Sequence, residues 1–116
     1  MEIYYNPRCS TCKVALSYLE KGTHDIHIRE YLKEPPTQTE LKGLIKKLGI
    51  KPEELVRKKE PIYQSTYAGK TLTDNEWIAA MVKNPILIQR PIVIEGNKAI
   101  IGRPAERVIE FEKGKK

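Results

Sequence analysis

Two cysteines separated by two residues stand at a predicted junction between a strand and a helix. The apolar run Ile3–Tyr5 predicts a strand, and the Asn6-Pro7 pair after it predicts a turn. Residues 10–21 predict a helix, and Gly22 stands just past its end. The chain must therefore pass from a strand into the N-terminus of a helix within a few residues, and the cysteines lie at that point.

The two cysteines are predicted to differ in reactivity. Cys9 lies at the helix N-terminus, where unpaired backbone N–H groups and the helix dipole favour a thiolate, and Arg8 adds a positive charge. Cys12 lies one turn further on and belongs to an apolar stripe with Ala15, Leu16 and Leu19. We predict that Cys9 is the nucleophile, since a residue in this position is poorly placed to fill a core. Cys12 is either a second redox-active thiol or a small core side chain.

A zinc site is the alternative use of these cysteines, because His24 and His27 follow them and Cys₂His₂ sets bind zinc. The pattern fits poorly. In a Cys₂His₂ zinc site the helix carries both histidines, whereas here the predicted helix starts within the cysteine pair. The two histidines are also separated by two residues, which is fewer than usual. We expect no bound metal and interpret the histidines as loop and surface residues.

Size and composition indicate one globular domain. The chain has 116 residues, which suffices to bury a core, and it is 40% apolar and 31% charged. No apolar run is long enough to cross a membrane, and no signal-peptide pattern follows Met1. We expect a cytoplasmic protein that does not bind membranes. Because thiols stay reduced in the cytoplasm, the cysteine pair indicates catalysis or redox sensing more than a structural disulfide.

The net charge of +6 favours anionic partners. Charge alone does not choose between a small oxyanion, an acidic protein and nucleic acid. We expect no direct binding of nucleic acid, because the chain shows neither an aromatic-rich basic strand nor a recognition-helix pattern. Lys113, Lys115 and Lys116 form a basic tail that we interpret as a solubilising end.

The rest of the chain predicts a helical block between elements of a sheet. A second strand is predicted from Ile26 to about Leu32, and it would complete a parallel crossover unit with the first strand and helix. Thr37 with Glu40 forms a capping box that begins a helix. A second capping box, Thr73 with Glu76, begins another helix that Asn84-Pro85 ends, so residues 37–84 are predicted to be helical.

The C-terminal part predicts a hairpin and a last helix. Residues 91–95 and 99–101 are apolar runs on either side of Gly96-Asn97, a two-residue turn. Pro104 is predicted near the first position of the final helix. The whole order predicts an α/β fold, a mixed four-stranded sheet flanked by helices with a helical insertion between the second and third strands.

Three arginines at element boundaries are candidate anion ligands: Arg57, Arg90 and Arg103. The last two precede proline, which holds the arginine backbone extended. Guanidinium groups bind tetrahedral oxyanions through paired N–H donors, and arginines near a thiolate lower the pKa of the thiol. The sequence does not show whether the three converge, and an arginine judged alone is more often a solvated surface charge than a ligand, because arginine is rarely buried.

Five segments, in this order, closely resemble the ArsC family of arsenate reductases, members of the thioredoxin-like superfamily. The resemblance runs from Ile3 to about Val108. The segments are Asn6-Pro7-Arg8-Cys9, Leu55-Val56-Arg57-Lys58, Asn84-Pro85-Ile86-Leu87-Ile88, Arg90-Pro91-Ile92-Val93 and Gly102-Arg103-Pro104-Ala105-Glu106. One ArsC-like domain over residues 1–116 is expected, with a thioredoxin-like core at 1–33 and 86–112.

The resemblance implies roles for particular residues. Cys9 would be the nucleophile, and Arg57, Arg90 and Arg103 would bind the oxyanion. The bond before Pro91 would be cis, as proline allows, and the first strand would lie between the second and third. Arsenate would be reduced to arsenite through a Cys9 adduct, with glutathione and then glutaredoxin as reductants and no bound cofactor. Alternatively, Cys12 would resolve the adduct and thioredoxin would reduce the resulting disulfide.

Two positions depart from the family pattern. Tyr5 stands where members with established arsenate chemistry carry a histidine, which removes one possible proton partner of the thiolate. Cys12 stands where they usually have no thiol. In this respect the chain resembles the Spx branch of the same family, whose members are redox-sensing regulators that bind RNA polymerase. Spx-like sequences usually lack the Gly102-Arg103-Pro104 segment that is intact here. We therefore predict an enzyme, and a regulator that binds RNA polymerase is the alternative.

Overall fold

The computed structural model describes residues 1–22 and 25–114, so His24, Lys115 and Lys116 lie outside the described residues. The regular elements of the described part are β1 (Glu2–Tyr5), α1 (Ser10–Gly22), β2 (His27–Glu30), α2 (Gln38–Leu48), α3 (Asp74–Lys83), β3 (Ile92–Glu95), β4 (Lys98–Ile101) and α4 (Arg107–Gly114). Short 3₁₀ helices occupy Pro52–Leu55 and Pro85–Leu87, and a π-helical turn occupies Tyr63–Tyr67. None of the helices within these ranges combines the length and apolar composition that crossing a bilayer requires.

The chain divides into two compact units. We call them the core unit, residues 1–34 with the chain from Arg90 onward, and the helical unit, Pro35–Gln89. The core unit carries a four-stranded sheet with the order β2-β1-β3-β4. β1 runs parallel to β2 and antiparallel to β3, which is in turn antiparallel to β4. This confirms the predicted mixed sheet with its helical insertion, and it confirms the central place of the first strand.

Strand direction brings distant parts of the sequence to one end of the sheet. Tyr5 pairs with Glu30, and Tyr4 pairs with Ile92, which also pairs with Ile101. The C-terminal ends of β1, β2 and β4 therefore meet the beginning of β3. We call this end the thiol end of the sheet. Loops at the carboxyl ends of parallel strands are the usual place for binding sites in α/β proteins.

α1 and α4 pack against one face of the sheet in the core unit. Their apolar stripes cover Ile3 of β1 and Val93 of β3, and the cluster is completed by Ala15, Leu19, Ala105 and Val108. All six are buried. Cys12, Ala15 and Leu19 are the buried residues of α1, so the predicted apolar stripe is confirmed and it anchors the helix whose N-terminus carries Cys9.

Both α-helices of the helical unit begin with the predicted capping boxes. The N–H of Glu40 donates to Thr37 Oγ1 at 3.1 Å, and the N–H of Thr37 donates to Glu40 Oε1 at 3.0 Å. Thr73 and Glu76 make the same reciprocal pair at 3.2 Å and 2.8 Å. Each pair satisfies two N–H groups that a helix N-terminus otherwise leaves without an intrahelical partner.

Two predicted boundaries are wrong by a few residues. The second strand ends at Glu30 because its carbonyl oxygen accepts the N–H groups of Lys33 and Glu34, both at 2.9 Å, which folds the chain into a turn. The final helix begins at Arg107 instead of Pro104. The bond before Pro104 is cis, and the Pro104 carbonyl oxygen accepts the Arg107 N–H at 3.0 Å in the turn that precedes the helix.

Candidate active site

Cys9 is the residue that precedes the first turn of α1, and its sulfur caps the helix. The backbone N–H of Cys12 donates to Cys9 Sγ at 3.4 Å, as a side chain at this position of a helix normally accepts. The Cys9 carbonyl oxygen accepts the N–H of Lys13 at 3.2 Å, the first hydrogen bond of the helix. The sulfur therefore lies at the positive end of the helix dipole, where negative charge is stabilised.

The turn before Cys9 is held by Asn6, a residue that the sequence indicated only as part of a turn. Asn6 is 5% exposed. Its Oδ1 accepts the N–H of Arg8 at 3.0 Å, and its carbonyl oxygen accepts the N–H of Cys9 at 2.9 Å. The signal for this structure is present in the sequence, since asparagine before such turns commonly accepts the N–H two residues on.

Two of the three predicted arginines lower the pKa of Cys9 within the core unit. Arg103 Nη2 donates to Cys9 Sγ at 3.5 Å, and Arg103 Nε donates to the carbonyl oxygen of Arg90 at 2.7 Å. The Arg90 side chain also helps to lower the pKa of Cys9. Arg90 lies just before β3 and Arg103 just after β4, so both reach the thiol end of the sheet from strands far apart in sequence from Cys9.

The pKa of Cys9 lies below its ordinary value although the residue is only 7% exposed. Burial by itself raises the pKa of a thiol. Hydrogen bonds from the thiol and the backbone N–H of Cys12, a hydrogen bond from Arg90 and the charge of Arg103 together outweigh that effect. Arg8 was predicted to stabilise the thiolate by its charge. Its side chain is exposed, and the arginines that lower the pKa of Cys9 are Arg90 and Arg103.

Cys12 behaves oppositely. Its side chain is 0% exposed, and burial is the main cause that raises the pKa of its thiol to about 12. A hydrogen bond with the backbone of Asn6 and the charge of Arg90 act against this rise, whereas the hydrogen bond to Cys9 and the charge of Cys9 add to it. Cys12 therefore keeps its proton and donates it to the Cys9 sulfur. Both thiols are unbridged. This difference is the one expected between an attacking thiol, with a lowered pKa, and a resolving thiol beside it, with a raised pKa.

A surface pocket of about 310 Å³ opens beside Cys9. Ser10, Thr11 and Val14 from α1 line one side, and the other side is formed by Arg103, Pro104, Ala105 and Glu106. Arg103 belongs both to this pocket and to the contacts of the Cys9 sulfur. A molecule in the pocket would therefore contact the arginine that donates to the Cys9 sulfur.

The remaining predicted site residues divide between the two units. The bond between Arg90 and Pro91 is cis, as the family resemblance implied. Arg57 belongs to the helical unit, where its Nε donates to Glu60 Oε2 at 3.1 Å and both side chains are 17% exposed. The Arg57 N–H donates to the carbonyl oxygen of Leu87 at 2.7 Å, and this hydrogen bond holds the backbone at Arg57.

The zinc hypothesis receives no candidate ligand set from the described part of the chain. Within residues 1–22 and 25–114 no group of three or more His, Cys, Asp or Glu side chains is placed to hold a metal ion. His27 lies exposed on β2, with its Nε2 3.6 Å from Glu2 Oε2. His24 lies outside the described residues.

Comparison with known proteins gives consistent matches over nearly the whole chain. The model of the ArsC family matches residues 4–111. Arsenate reductase of Haemophilus influenzae is 41% identical over 112 residues, covering 94% of this chain and 96% of that protein. The uncharacterised protein YfgD of Escherichia coli is 40% identical over 113 residues, covering 96% of this chain and 95% of that protein.

A solved structure agrees with the sequence matches. Arsenate reductase from Vibrio cholerae superposes with a TM-score of 0.89 at 38% identity, covering 95% of this chain and 97% of that one. The family match runs from within β1 to within α4, and it includes the helix that begins after Cys9 and the segments that carry Arg90 and Arg103. The chain therefore belongs to the ArsC family.

Proposed function

We propose that this protein is a thiol oxidoreductase that reduces arsenate to arsenite. The observation that carries the proposal is the Cys9 sulfur, which lies at a helix N-terminus in contact with the guanidinium group of Arg103 and has a pKa that Arg90 also helps to lower. A tetrahedral dianion approaching the sulfur would meet both cations. The names of the relatives from Haemophilus influenzae and Vibrio cholerae support arsenate as that anion.

In the first step the Cys9 thiolate attacks arsenic. A sulfur–arsenic bond forms, and one oxygen of arsenate leaves as water after protonation. Arg90 and Arg103 stabilise the anion and its transition state with their positive charges, and the guanidinium of Arg103 is already held beside the sulfur. The lowered pKa of Cys9 supplies the thiolate that such an attack requires.

In the second step another thiolate attacks the Cys9 sulfur. The sulfur–arsenic bond breaks, and its electron pair stays on arsenic, which leaves as arsenite. Two thiols have then become one disulfide, and arsenic has gained two electrons. The second thiol is either glutathione, with glutaredoxin restoring Cys9, or Cys12, with thioredoxin reducing the internal disulfide. The contact of the Cys12 thiol with Cys9 supports the internal route.

Steady-state assays with each reductant supplied separately test the proposal. Purified protein should convert arsenate to arsenite with glutathione and glutaredoxin or with thioredoxin. Cys9→Ser should abolish turnover with both. The assignment fails if the wild type turns over arsenate with neither system, whereas its family membership would be unaffected.

A redox-sensing regulator that binds RNA polymerase is the second candidate. The paired cysteines favour it, because a thiolate with a thiol at its side can record oxidation as a disulfide. The contacts of Arg103 with Cys9 favour the enzyme, since a sensor needs no oxyanion ligand. A pull-down with the RNA polymerase α-subunit, before and after oxidation, separates the two. Binding that changes with oxidation, without arsenate turnover, would support the regulator.

A further inference from the structure

Glu60 is an acidic residue of the helical unit that no sequence motif marks and that the proposed reaction does not use. Its Oε2 accepts Arg57 Nε at 3.1 Å, and both side chains are 17% exposed. Exposed ion pairs are weak because water and salt compete with them, whereas a pair as buried as this one is screened much less. Arg57 is the candidate oxyanion ligand of this unit, so the contact bears on how that ligand is presented.

The backbone of Glu60 is held on both sides. Its N–H donates to the Arg57 carbonyl oxygen at 3.3 Å, which closes a turn, and its own carbonyl oxygen accepts the N–H of Gln64 at 3.2 Å. The Gln64 side chain also holds this turn, since its Nε2 donates to the carbonyl oxygen of Lys58 at 2.6 Å. Pro61 follows Glu60 and restricts its backbone further. The Glu60 carboxylate therefore extends from a fixed position.

The backbone of Arg57 is fixed by a different segment. Its N–H donates to the Leu87 carbonyl oxygen at 2.7 Å, and the N–H of Gln89 donates to the Leu55 carbonyl oxygen at 2.9 Å. These two hydrogen bonds belong to a short antiparallel contact between the segments. The remaining freedom lies in the Arg57 side chain, which has several rotatable bonds. The hydrogen bond from its Nε to Glu60 restricts that freedom.

The atom of Arg57 that Glu60 contacts matters for ligand binding. A guanidinium carries five N–H donors, one on Nε and four on the two Nη atoms. In the described part of the chain, Glu60 takes the donor on Nε, and the paired donors of the Nη atoms are left for a ligand. Paired N–H donors are the part of an arginine that fits an oxyanion. A carboxylate on Nε therefore orients the guanidinium without covering that part.

We propose that Glu60 is a positioning residue, which holds the Arg57 guanidinium by Nε and leaves its two Nη atoms oriented for the oxyanion. Without this acceptor the Arg57 head group would become ordered only when the anion binds, and the ordering would weaken the binding. The effect on arsenate rests on the proposed function, in which Arg57 binds that anion. The effect on the Arg57 side chain itself requires no substrate.

Substitutions at Glu60 separate its hydrogen bond from its charge. Glu60→Ala removes both, so KM for arsenate should rise about 3- to 10-fold, the cost of ordering one long side chain on binding. Glu60→Gln removes the charge and keeps an oxygen that can accept Nε, so its KM should stay close to that of the wild type. Glu60→Asp keeps the charge and shortens the side chain, and it should also raise KM. It replaces Glu60→Ala if that variant does not fold.

Two competing interpretations predict other results. If Glu60 neutralises Arg57 and competes with the anion, KM should fall in both Glu60→Ala and Glu60→Gln. If the pair only stabilises the fold, Glu60→Ala should lower the free energy of unfolding and leave KM unchanged. Either result would overturn the proposal.

NMR gives a readout that needs no turnover. The Nε proton of Arg57, assigned by its loss in Arg57→Lys, should exchange with water faster in Glu60→Ala and at nearly the wild-type rate in Glu60→Gln. Glu53→Ala is the matched control, because it removes a carboxylate of the same unit whose Oε2 lies 3.1 Å from Lys58 Nζ in an exposed pair. It should change neither KM nor the exchange of the Arg57 proton.

The results separate this inference from the proposed function. If the wild type does not turn over arsenate, the proposed function fails, and inorganic phosphate, a tetrahedral oxyanion that thiols do not reduce, replaces arsenate in a titration followed by the Arg57 Nε signal. Weaker phosphate binding and faster exchange in Glu60→Ala would then still support the positioning role. Unchanged exchange or unchanged anion affinity in a folded Glu60→Ala protein would overturn it, as would a wild type that binds neither anion.

Discussion

The backbone N–H of Cys12 lies 3.4 Å from the sulfur of Cys9, yet the pKa values of the two thiols are shifted in opposite directions. Both side chains are buried, which alone would raise both values. The difference comes from donors, because Cys9 receives hydrogen bonds from Cys12 and Arg90 and the charge of Arg103. The pKa of Cys12 is instead raised further by its hydrogen bond to Cys9 and by the negative charge of that thiolate.

The first prediction concerns the pH dependence of alkylation. Because the pKa of Cys9 is lowered, the pH profile of its alkylation by iodoacetamide should lie at lower pH than that of an ordinary thiol, whose pKa is about 8.5. Acidification through the lowered pKa should remove this reactivity. Mass spectrometry should locate the label on Cys9 and leave Cys12, with its pKa of about 12, unlabelled at moderately alkaline pH. Preferential labelling of Cys12 would contradict the assignment of the nucleophile.

The second prediction concerns a disulfide between Cys9 and Cys12. Mild oxidation of the monomer should remove the mass of two hydrogens, and thioredoxin should restore it. Cys12→Ser should prevent this change and remove turnover that does not depend on glutathione. Cys12→Ala, which keeps the buried position apolar, serves as the control for the added hydroxyl. If the wild type forms no internal disulfide, or if Cys12→Ser keeps full glutathione-independent turnover, Cys12 is a packing residue.

The third prediction concerns Arg103, which contacts Cys9 with Nη2 and the Arg90 carbonyl oxygen with Nε. Arg103→Ala removes both contacts, so the pKa of Cys9 should rise and kcat for arsenate should fall about 10²- to 10³-fold, as for other lost transition-state donors. Arg103→Lys keeps the charge but cannot reproduce the two-pronged geometry. It should restore part of the thiol reactivity and little of the turnover. Equal activity in Arg103→Ala and the wild type would exclude this arginine from the reaction.

The fourth prediction concerns Arg57, whose role in binding an oxyanion rests on the family resemblance. Arg57→Ala should weaken arsenate binding about 10- to 100-fold, the worth of one or two charge-assisted hydrogen bonds. Lys58→Ala is the matched control. Lys58 is the next residue, its Nζ lies 3.1 Å from Glu53 Oε2, and that exposed pair should contribute little. A rise in KM for both variants would indicate a general effect of charge, and no rise for either would remove Arg57 from the site.

The fifth prediction concerns the packing beneath Pro91. A Cβ atom at Gly102 would lie 2.9 Å from Val108 Cγ1 and 3.1 Å from Pro91 Cγ. Gly102→Ala should therefore lower the free energy of unfolding by about 1–3 kcal/mol, as overpacking of a core does. Gly43→Ala is the control, because nothing lies within 4 Å of its Cβ position in the exposed face of α2. It should raise the free energy of unfolding by about 0.5–1 kcal/mol. Urea denaturation measures both, and a stability of Gly102→Ala equal to that of the wild type would contradict the packing argument.

Local signals in the sequence predicted the elements well. The capping boxes at Thr37 and Thr73 and the Gly96-Asn97 turn depend on residues close in sequence, and each is present in the structure. The position of Cys9 at the N-terminus of α1 and the lowering of its pKa were also predictable, because both depend on the first turn of the helix that follows it. The end of β2 was placed too late because Tyr31 and Leu32 continue its apolar pattern, whereas hydrogen bonds to the Glu30 carbonyl oxygen end the strand.

The contacts of the candidate site were less accessible from the sequence. Nothing in the spacing of Arg90 and Arg103 indicates that one donates to the carbonyl oxygen of the other, because that contact depends on the pairing of β3 and β4. The family resemblance named both arginines, but the hydrogen bonds that orient them follow only from the arrangement of strand ends.

The chain passes from the core unit to the helical unit just after the turn that contains Tyr31, and it returns to the core unit at Arg90. Cys9 and Cys12 therefore come from the segment before this long excursion, and Arg90 and Arg103 come from the segment after it. The pairing of β1 with β3, and of β3 with β4, brings the two segments together. In this way Cys9 and Arg103, which stand 94 positions apart in the sequence, come to lie 3.5 Å from one another.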